Sequence, residues 1–249
     1  MEQRLLESTA YLPKLCNLLS EVEDRESEVI RQAAEAAYAS IRRGGLLHVF
    51  ATGHSHMLAD ELFFRAGGLA PINPIYASEL MVQEGARIST QNERASGLAD
   101  RILETAPLLQ GDTLLLASNS GINAVPIEAA IYAKKKGLTV VGITSRAASQ
   151  TLEARHESGK KLYDFCDIVI DNHVPLGDGL LTLPGEETVT GGASTFSMLF
   201  IAQRIILEIE NCYLADNKKP PVFRSANVPG GTEYNEELIL AYQDKIKYL

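Results

Sequence analysis

DTLLLASNSG, at residues 112–121, is the stretch that decides the fold. It starts with an apolar run of strand length, Thr113 to Ala117, ends in small hydroxyl residues and a glycine, and is followed by a helix-like stretch from Asn123. A strand, a short polar loop and a helix in this order direct side-chain hydroxyls and the free N–H groups of the helix N-terminus at one point. The stretch therefore predicts a strand of a parallel sheet that ends in a phosphate-binding loop.

Other apolar runs predict the remaining strands of the same sheet. They are continuously apolar rather than alternating, which implies burial on both faces, as in a parallel sheet between two helical layers. The runs are Leu46 to Ala51, Leu138 to Ile143 and Ile168 to Ile170. A weaker run, Ile72 to Ile75, contains Pro74 and is therefore predicted at an edge of the sheet.

Helix-like segments lie between and around these runs. Segments 96–109 and 125–136 alternate with the strands, and this order predicts an α/β fold with a doubly wound parallel sheet. Residues 2–43 are predicted to be helical with a break near Ser20, and a long apolar helix is predicted from Ala193. The chain is interpreted as one domain, residues 1–249, with a core at about 30–215, an N-terminal helical arm at 1–43 and a C-terminal extension at 216–249.

Composition narrows the class of ligand. The formal net charge is −9 and the pI is near 5.1, which disfavours broad electrostatic binding to nucleic acid or to an anionic membrane. An anionic ligand must then be held by local donors. Charged residues interrupt the first 20 residues, so no signal peptide or membrane span is predicted and a cytoplasmic protein is expected. Three scattered cysteines without C-x-x-C spacing predict neither a disulfide framework nor a zinc knuckle.

Small polar residues follow three of the predicted strands. The segments are 52–56 (TGHSH), 118–121 (SNSG) and 144–145 (TS). Loops at the carboxyl ends of parallel strands share one edge of the sheet, so all three are predicted to line one pocket. Any single one of them is explained as well by an ordinary turn, and it is their agreement that favours a site. A dinucleotide is disfavoured because the sequence lacks G-x-G-x-x-G, and the lysine-bearing phosphate loop is also absent.

These loops together resemble the sugar isomerase (SIS) family, whose members bind phosphosugars with Ser/Thr loops after successive strands. The resemblance covers about residues 30–215 and is most specific at SNSG; it implies a flavodoxin-like sheet with added N- and C-terminal helices, and a homodimer formed across the long helices. Asn123 departs from the usual threonine but can still donate a hydrogen bond. The residues that the resemblance and the loops assign to phosphate or sugar are Gly53, Ser55, His56, Ser118, Asn119, Ser120, Gly121, Asn123, Thr144 and Ser145.

The catalytic candidates are carboxylates and one histidine near the strand ends. Ala77-Ser78-Glu79 resembles a step in the isomerase half of glucosamine-6-phosphate synthase, and Glu186 precedes a segment similar to a later part of that half. Glu61 lies in the helix expected after the first loop, and His54 flanks Ser55. Each of these groups is also compatible with a solvated side chain that has no role. An isomerase needs a base that moves a proton between adjacent carbons and donors that stabilise the enediolate.

Two related activities fit the sequence less well. Phosphoheptose isomerases of this family use a His and a Glu on the helix after the first loop to bind zinc and move the proton, and those positions fall on Glu61 and Arg65 here. N-acetylmuramic acid 6-phosphate etherases place a Glu that also falls on Arg65. The substitution removes these roles and leaves Arg65 either to add positive charge near a phosphate or to pair with Glu61 one turn earlier.

The sequence is therefore interpreted as a homodimeric phosphosugar-binding protein, an aldose/ketose isomerase with a Glu or His base. No metal and no cofactor are expected, and neither nucleic acid nor membrane is expected as a partner. The alternatives left open are a non-catalytic sugar-phosphate sensor, a sugar-phosphate lyase or etherase, and binding of some other anion.

Overall fold

The computed structural model describes residues 5–249 and contains a five-stranded, fully parallel sheet. Its strands are β1 (Leu47–Ala51), β2 (Ile72–Pro74), β3 (Thr113–Ala117), β4 (Thr139–Thr144) and β5 (Ile168–Asp171). The order across the sheet is β2-β1-β3-β4-β5, which is the flavodoxin-like order of a doubly wound sheet. This confirms the predicted α/β class, and β2, which carries Pro74, lies at an edge as predicted.

Helices cover both faces of the sheet. They are α1 (Tyr11–Arg42), α2 (Met57–Leu62), α3 (Ala86–Glu93), α4 (Leu98–Glu104), α5 (Ala124–Lys135), α6 (Arg146–Thr151), α7 (Ser194–Ala215) and α8 (Gly231–Tyr242). Side chains alternate along each strand, so Val49 and Leu115 pack with α1, α2 and α7, whereas Phe50 and Leu114 pack with α4 and α5. Burial on both faces explains why the strand sequences are continuously apolar.

Three helix predictions need correction. Helix α1 runs through Ser20 without the predicted break, because that serine lies exposed on the solvent side, where it disturbs no packing. Helix α4 spans Leu98–Glu104 rather than 96–109, since Gly97 adopts φ +83° immediately before it. The helix expected from Ser55 is a 3-10 turn at Gly53–His56 followed by the short α2. Residues 2–4 of the predicted N-terminal helix lie outside the described residues.

Several features were absent from the sequence prediction, including α3 and α6. An antiparallel hairpin, β6 (Gly179–Thr182) and β7 (Val189–Gly192), follows β5 and packs through Leu180 against α1. The C-terminal extension is not wholly irregular, because it contains α8 and ends with Ile246 buried. Within residues 5–249, no helix is both long enough and apolar enough to cross a membrane.

Candidate functional site

The candidate site lies where the direction of strand order reverses, between β1 and β3. Ala51 pairs with Ala117, so the next residues, Thr52 and Ser118, lie side by side at the carboxyl edge, about 4.8 Å apart across the strands. Ligands of open α/β sheets bind in the crevice outside the strand ends at such a switch point. The loops 52–56 and 118–123 form the two walls of this crevice.

The carbonyl groups of the 118–123 loop are tied back to the body of the protein. The Asn119 carbonyl accepts from the Ser145 N–H at 2.9 Å, and the Ser120 carbonyl accepts from the Ser149 hydroxyl. Further along, the carbonyls of Gly121 and Ile122 each accept a backbone N–H at 2.8 Å, from Leu162 and Arg155. Four successive carbonyls thus face β4, α6 and the segment that follows α6.

The N–H groups of the same peptide units face the opposite way, because C=O and N–H point in opposite directions across a trans peptide. The Gly121 N–H donates to the Ser118 hydroxyl at 3.2 Å, but those of Ser120, Ile122 and Asn123 have no acceptor among the described residues. Ile122 and Asn123 are 3% and 7% exposed. These N–H groups are therefore available to an acceptor, and α5 adds its positive N-terminal end.

Gly121 makes this conformation possible. Its φ is +62°, and a Cβ at this position would lie 2.7 Å from Ser149 Oγ and 2.8 Å from Thr144 Oγ1. Only glycine provides both the left-handed backbone and the space. The turn therefore requires the glycine of the SNSG sequence.

The hydroxyl residues predicted for the site have different surroundings. The Ser120 and Ser55 hydroxyls make no hydrogen bond within the described chain and are partly exposed at the crevice. Thr144 and Ser145 are fully buried: the Thr144 hydroxyl bonds the Asn119 carbonyl, and Ser145 Oγ donates to the Val174 carbonyl at 2.6 Å and caps α6. In this structure the latter two hold the loop in place.

On the β1 side, the structure brings a carboxylate to the crevice that sequence reasoning missed. Thr52 Oγ1 donates to Glu93 Oε1 at 2.7 Å, and Glu93 is the last residue of α3. Among the histidines, His54 is exposed and carries no hydrogen bond within residues 5–249. His56 is buried, contacts the Gly53 carbonyl through Nδ1 and lies 3.4 Å from Asp60 through Nε2.

Glu79 lies at a different place from the crevice loops. It lines an open cavity of about 460 Å³ beside β2, where its carboxylate is 3.4 Å from Arg101. Tyr76 and the C-terminal residues Lys247 and Tyr248 form another wall of that cavity. None of the residues of loops 52–56 and 118–123 lines this cavity.

The other two predicted carboxylates, Glu61 and Glu186, have different surroundings. Glu61 pairs with Arg65, as the spacing predicted, and also accepts from Gln203 Nε2 at 2.7 Å. Glu186 lies exposed in the turn of the β6–β7 hairpin, and its carboxylate forms no ion pair with any described residue. Across residues 5–249, no group of three or more His, Cys, Asp or Glu side chains is placed to hold a metal ion.

Two more residues support the loop from distant parts of the chain. Arg155 Nη1 donates to Asn123 Oδ1 at 2.9 Å, and Asn172 Nδ2 donates to Asn119 Oδ1 at 2.9 Å. Asn172 is 1% exposed, and its own carbonyl accepts from the Ser197 hydroxyl of α7 at 2.7 Å. Only the position of Asn172 directly after a predicted strand hinted at such a role. No local pattern marks Arg155 or Glu93.

The chain is similar to several known proteins. A UPF0309 protein of Halalkalibacterium halodurans is 39% identical over 246 residues, which cover 97% of this chain and 96% of the relative. A phosphoheptose isomerase of Francisella tularensis superposes with a TM-score of 0.52 at 15% identity, covering 82% of this chain and 96% of that one. The Vibrio vulnificus NanR protein complexed with ManNAc-6P superposes with a TM-score of 0.51 at 14% identity, covering 93% of this chain and 68% of that one.

The two solved structures show the shared fold alone, since their identities are low. The sequence profile of the SIS domain matches residues 10–145, which include β1, β3, β4 and both crevice loops. Together with a relative that is 39% identical along nearly the whole chain, this match decides the family. The chain belongs to the SIS domain family.

Proposed function

We propose that this protein binds a sugar phosphate in the crevice between β1 and β3 and isomerises it between its aldose and ketose forms. The observation that carries the proposal is the 118–123 loop, which ties back its carbonyls and leaves the N–H groups of Ser120, Ile122 and Asn123 free. A phosphate has acceptor oxygens for all three N–H groups at once. The positive N-terminal end of α5 stabilises its negative charge. Membership of the SIS family and a structural neighbour that contains ManNAc-6P support the ligand class.

The sugar then extends toward the β1 wall of the crevice. Ser55 and His54 present side chains there that are free of protein partners among the described residues, and Glu93 presents a carboxylate. Thr52 occupies one oxygen of Glu93 and fixes its orientation, which leaves the other oxygen available as a base. This arrangement supports a Glu base in the reaction, at a position different from those singled out in the sequence.

The proton balance of the isomerisation is simple. Glu93 takes the proton from C2 of the open-chain aldose phosphate, and the C–H electron pair forms the C1–C2 double bond while the carbonyl electrons move to O1. His54 or Ser55 donates a hydrogen bond to the enediolate oxygen. The O2 hydroxyl then gives its proton to O1, the electrons left on O2 form the C2=O bond of the ketose, and the C1–C2 double-bond pair takes the proton back from the carboxylic acid at C1.

The oligomer proposed with this function is a homodimer formed across the long helices. Phe196, Leu207 and Leu214 of α7 are each about half exposed or more, and Leu12 of α1 is 65% exposed. Apolar side chains of this size on neighbouring helices favour burial against a second copy. Sedimentation equilibrium tests this, and a monomer at micromolar concentration would contradict it.

The proposed function is tested in two steps. A thermal-shift screen against sugar phosphates identifies the ligand, and solvent-deuterium exchange at C2 of that ligand, followed by NMR, detects the proton transfer. We expect Glu93→Gln to retain binding and to lose about 10²–10⁴-fold in exchange rate, the range for a general base. Glu104→Gln, an exposed carboxylate at the end of α4, is the matched control.

Each outcome separates the candidate functions. Binding with exchange that depends on Glu93 supports the isomerase, whereas binding without any exchange identifies a non-catalytic sensor. If no sugar phosphate shifts the melting temperature, the ligand class itself is wrong.

A further inference from the structure

The connection that follows α6, residues 152–161, lies against the phosphate-binding loop. The backbone N–H of Arg155 donates to the Ile122 carbonyl at 2.8 Å, and its Nη1 donates to Asn123 Oδ1 at 2.9 Å. Two bonds thus place a guanidinium beside the first turn of α5. They also orient the Asn123 amide, since an oxygen that accepts from Arg155 leaves the NH₂ group directed elsewhere as a donor.

Arg155 is exposed and forms no ion pair within residues 5–249. Within residues 5–249, no carboxylate lies within 4 Å of its nitrogens, and the bond to Asn123 is the side chain's only hydrogen bond to the protein. A guanidinium carries several further N–H donors, and these remain available. Lys161, the other cation near the loop, is bound through Nζ to the Ser149 carbonyl.

Charge balance shows why such a cation matters here. The N-terminus of a helix supplies the equivalent of about half a positive charge, which offsets only a fraction of the charge of a dianion. The chain as a whole has a net charge of −9, and Glu93 lies at the opposite wall of the crevice. A phosphate monoester near neutral pH carries about two negative charges because its second pKa is about 6.

We propose that Arg155 is the residue that makes this loop select a dianionic phosphate monoester over monoanionic groups such as a sulfate monoester. This inference rests on the proposed function and assigns the charge state of the ligand's anionic group. The N–H groups of the loop recognise the shape of the anion but not its charge state. The guanidinium adds a full positive charge and planar donors that match phosphate oxygens.

The test uses methyl phosphate and methyl sulfate, which share size and shape but differ in charge. Dissociation constants are measured from the methyl signals by ligand-observed NMR at about pH 8, where the phosphate is a dianion, and at about pH 5, where it is a monoanion. The sulfate ester stays a monoanion at both pH values and therefore corrects for titration of the protein. We expect the wild-type protein to prefer the phosphate by about tenfold at the higher pH and hardly at the lower one.

The variants assign this preference to one side chain. Arg155→Gln is expected to lose about tenfold in affinity for methyl phosphate at about pH 8, a loss of about 1.4 kcal/mol, and only about threefold for the singly charged methyl sulfate. Arg155→Lys keeps the charge and is expected to retain most of the preference. The matched control is Arg43→Gln, which removes a positive charge at the other end of the sheet, where Arg43 donates to the Gly111 carbonyl.

Three results overturn the inference, and they are distinguishable. If Arg155→Gln keeps the pH-dependent preference, Arg155 does not select the dianion, although the phosphate site stands. If the variant weakens both probes equally at both pH values, Arg155 only holds the loop. If the wild-type protein binds neither probe, the proposed function fails and the inference fails with it.

Discussion

The two ends of the same pair of strands bury polar groups in opposite ways. At the amino end, the Asp112 carboxylate accepts from His48 Nε2 at 2.8 Å, from the Ser40 hydroxyl at 3.2 Å and from two backbone N–H groups. Asn73 completes this network by donating to His48 Nδ1 at 3.0 Å. At the carboxyl end, the N–H groups of Ser120, Ile122 and Asn123 have no such partners within residues 5–249.

The difference separates a structural polar cluster from a binding site. A buried polar network that is satisfied within the protein stabilises the fold and has no capacity left for a ligand. A loop whose carbonyl acceptors are bonded and whose N–H donors are free is less stable than one with all its hydrogen bonds made. An anion or water supplies the missing acceptors. Substitutions at the amino end should therefore change stability alone, and substitutions at the carboxyl end should change ligand affinity.

The largest expected effect is that of Asp112→Ala on stability. The change leaves the His48 Nε2–H and the N–H groups of Leu46 and Leu109 buried without their acceptor, and each buried donor left unpaired costs about 1–3 kcal/mol. Urea unfolding measures the free energy of unfolding. The affinity for a sugar phosphate should not change, and a loss of affinity in the folded variant would break the distinction between the two ends.

Gly121→Ala should have the next largest effect and should act at the other end. The new Cβ would meet Ser149 Oγ at 2.7 Å, and the left-handed φ of +62° costs an alanine about 1–2 kcal/mol. We expect the loop to move and the affinity for phosphate to fall by about a hundredfold. Gly67→Ala is the matched control, because Gly67 has φ +80° but nothing within 4 Å of the added Cβ.

Calorimetric titration of both variants separates backbone strain from loop geometry. Both should lose stability, whereas only Gly121→Ala should lose affinity. Equal affinities in the two variants would mean that the 118–123 loop does not bind the anion.

Asn172→Ala should have a smaller effect on affinity. It removes the bond from Asn172 Nδ2 to Asn119 Oδ1, which connects the loop to β5, and loss of one hydrogen bond of this kind costs about 0.5–1.5 kcal/mol. We expect a loss of affinity of about threefold to tenfold. Asn211→Ala, which removes an exposed asparagine on α7, is the control and should leave affinity unchanged in the same titration.

The sequence predicted the parts of the fold and site that depend on local pattern. The continuous apolar runs predicted the strands, and Pro74 placed β2 at an edge, because these features reflect burial and backbone donors within a few residues. The SNSG stretch likewise predicted a strand, turn and helix N-terminus. The break predicted at Ser20 was wrong because an exposed serine is compatible with a continuous helix.

The rest of the site depends on contacts between distant parts of the chain. Glu93 reaches Thr52 across 41 residues, Arg155 reaches Asn123 across 32, and Asn172 reaches Asn119 across 53. No periodicity or motif encodes these pairs. A local resemblance likewise does not fix where a residue lies in the fold. The stretch Ala77-Ser78-Glu79 resembles part of another enzyme, but in this chain Glu79 lines a separate cavity beside β2.

The smallest expected effect is a change in the acid dependence of stability. Burial alone would raise the pKa of Asp112, but the hydrogen bonds from His48 and from the N–H groups of Leu109 and Leu46 outweigh it, so the pKa lies below its usual value. A carboxyl whose folded pKa is lowered stabilises the fold above its unfolded pKa of about 3.9 and loses that contribution as the pH falls through the folded value.

The free energy of unfolding of the wild-type protein should therefore fall as the pH decreases below about 4. In Asp112→Asn this part of the decline should disappear, because the amide does not titrate, so the curves of variant and wild type converge toward low pH. Asp100→Asn, which changes an exposed carboxylate in the first turn of α4, should run parallel to the wild type. If the curve for Asp112→Asn runs parallel to that of the wild type, the Asp112 carboxylate is not stabilised by its four donors. The polar network at the amino end of the strands would then not be a satisfied network.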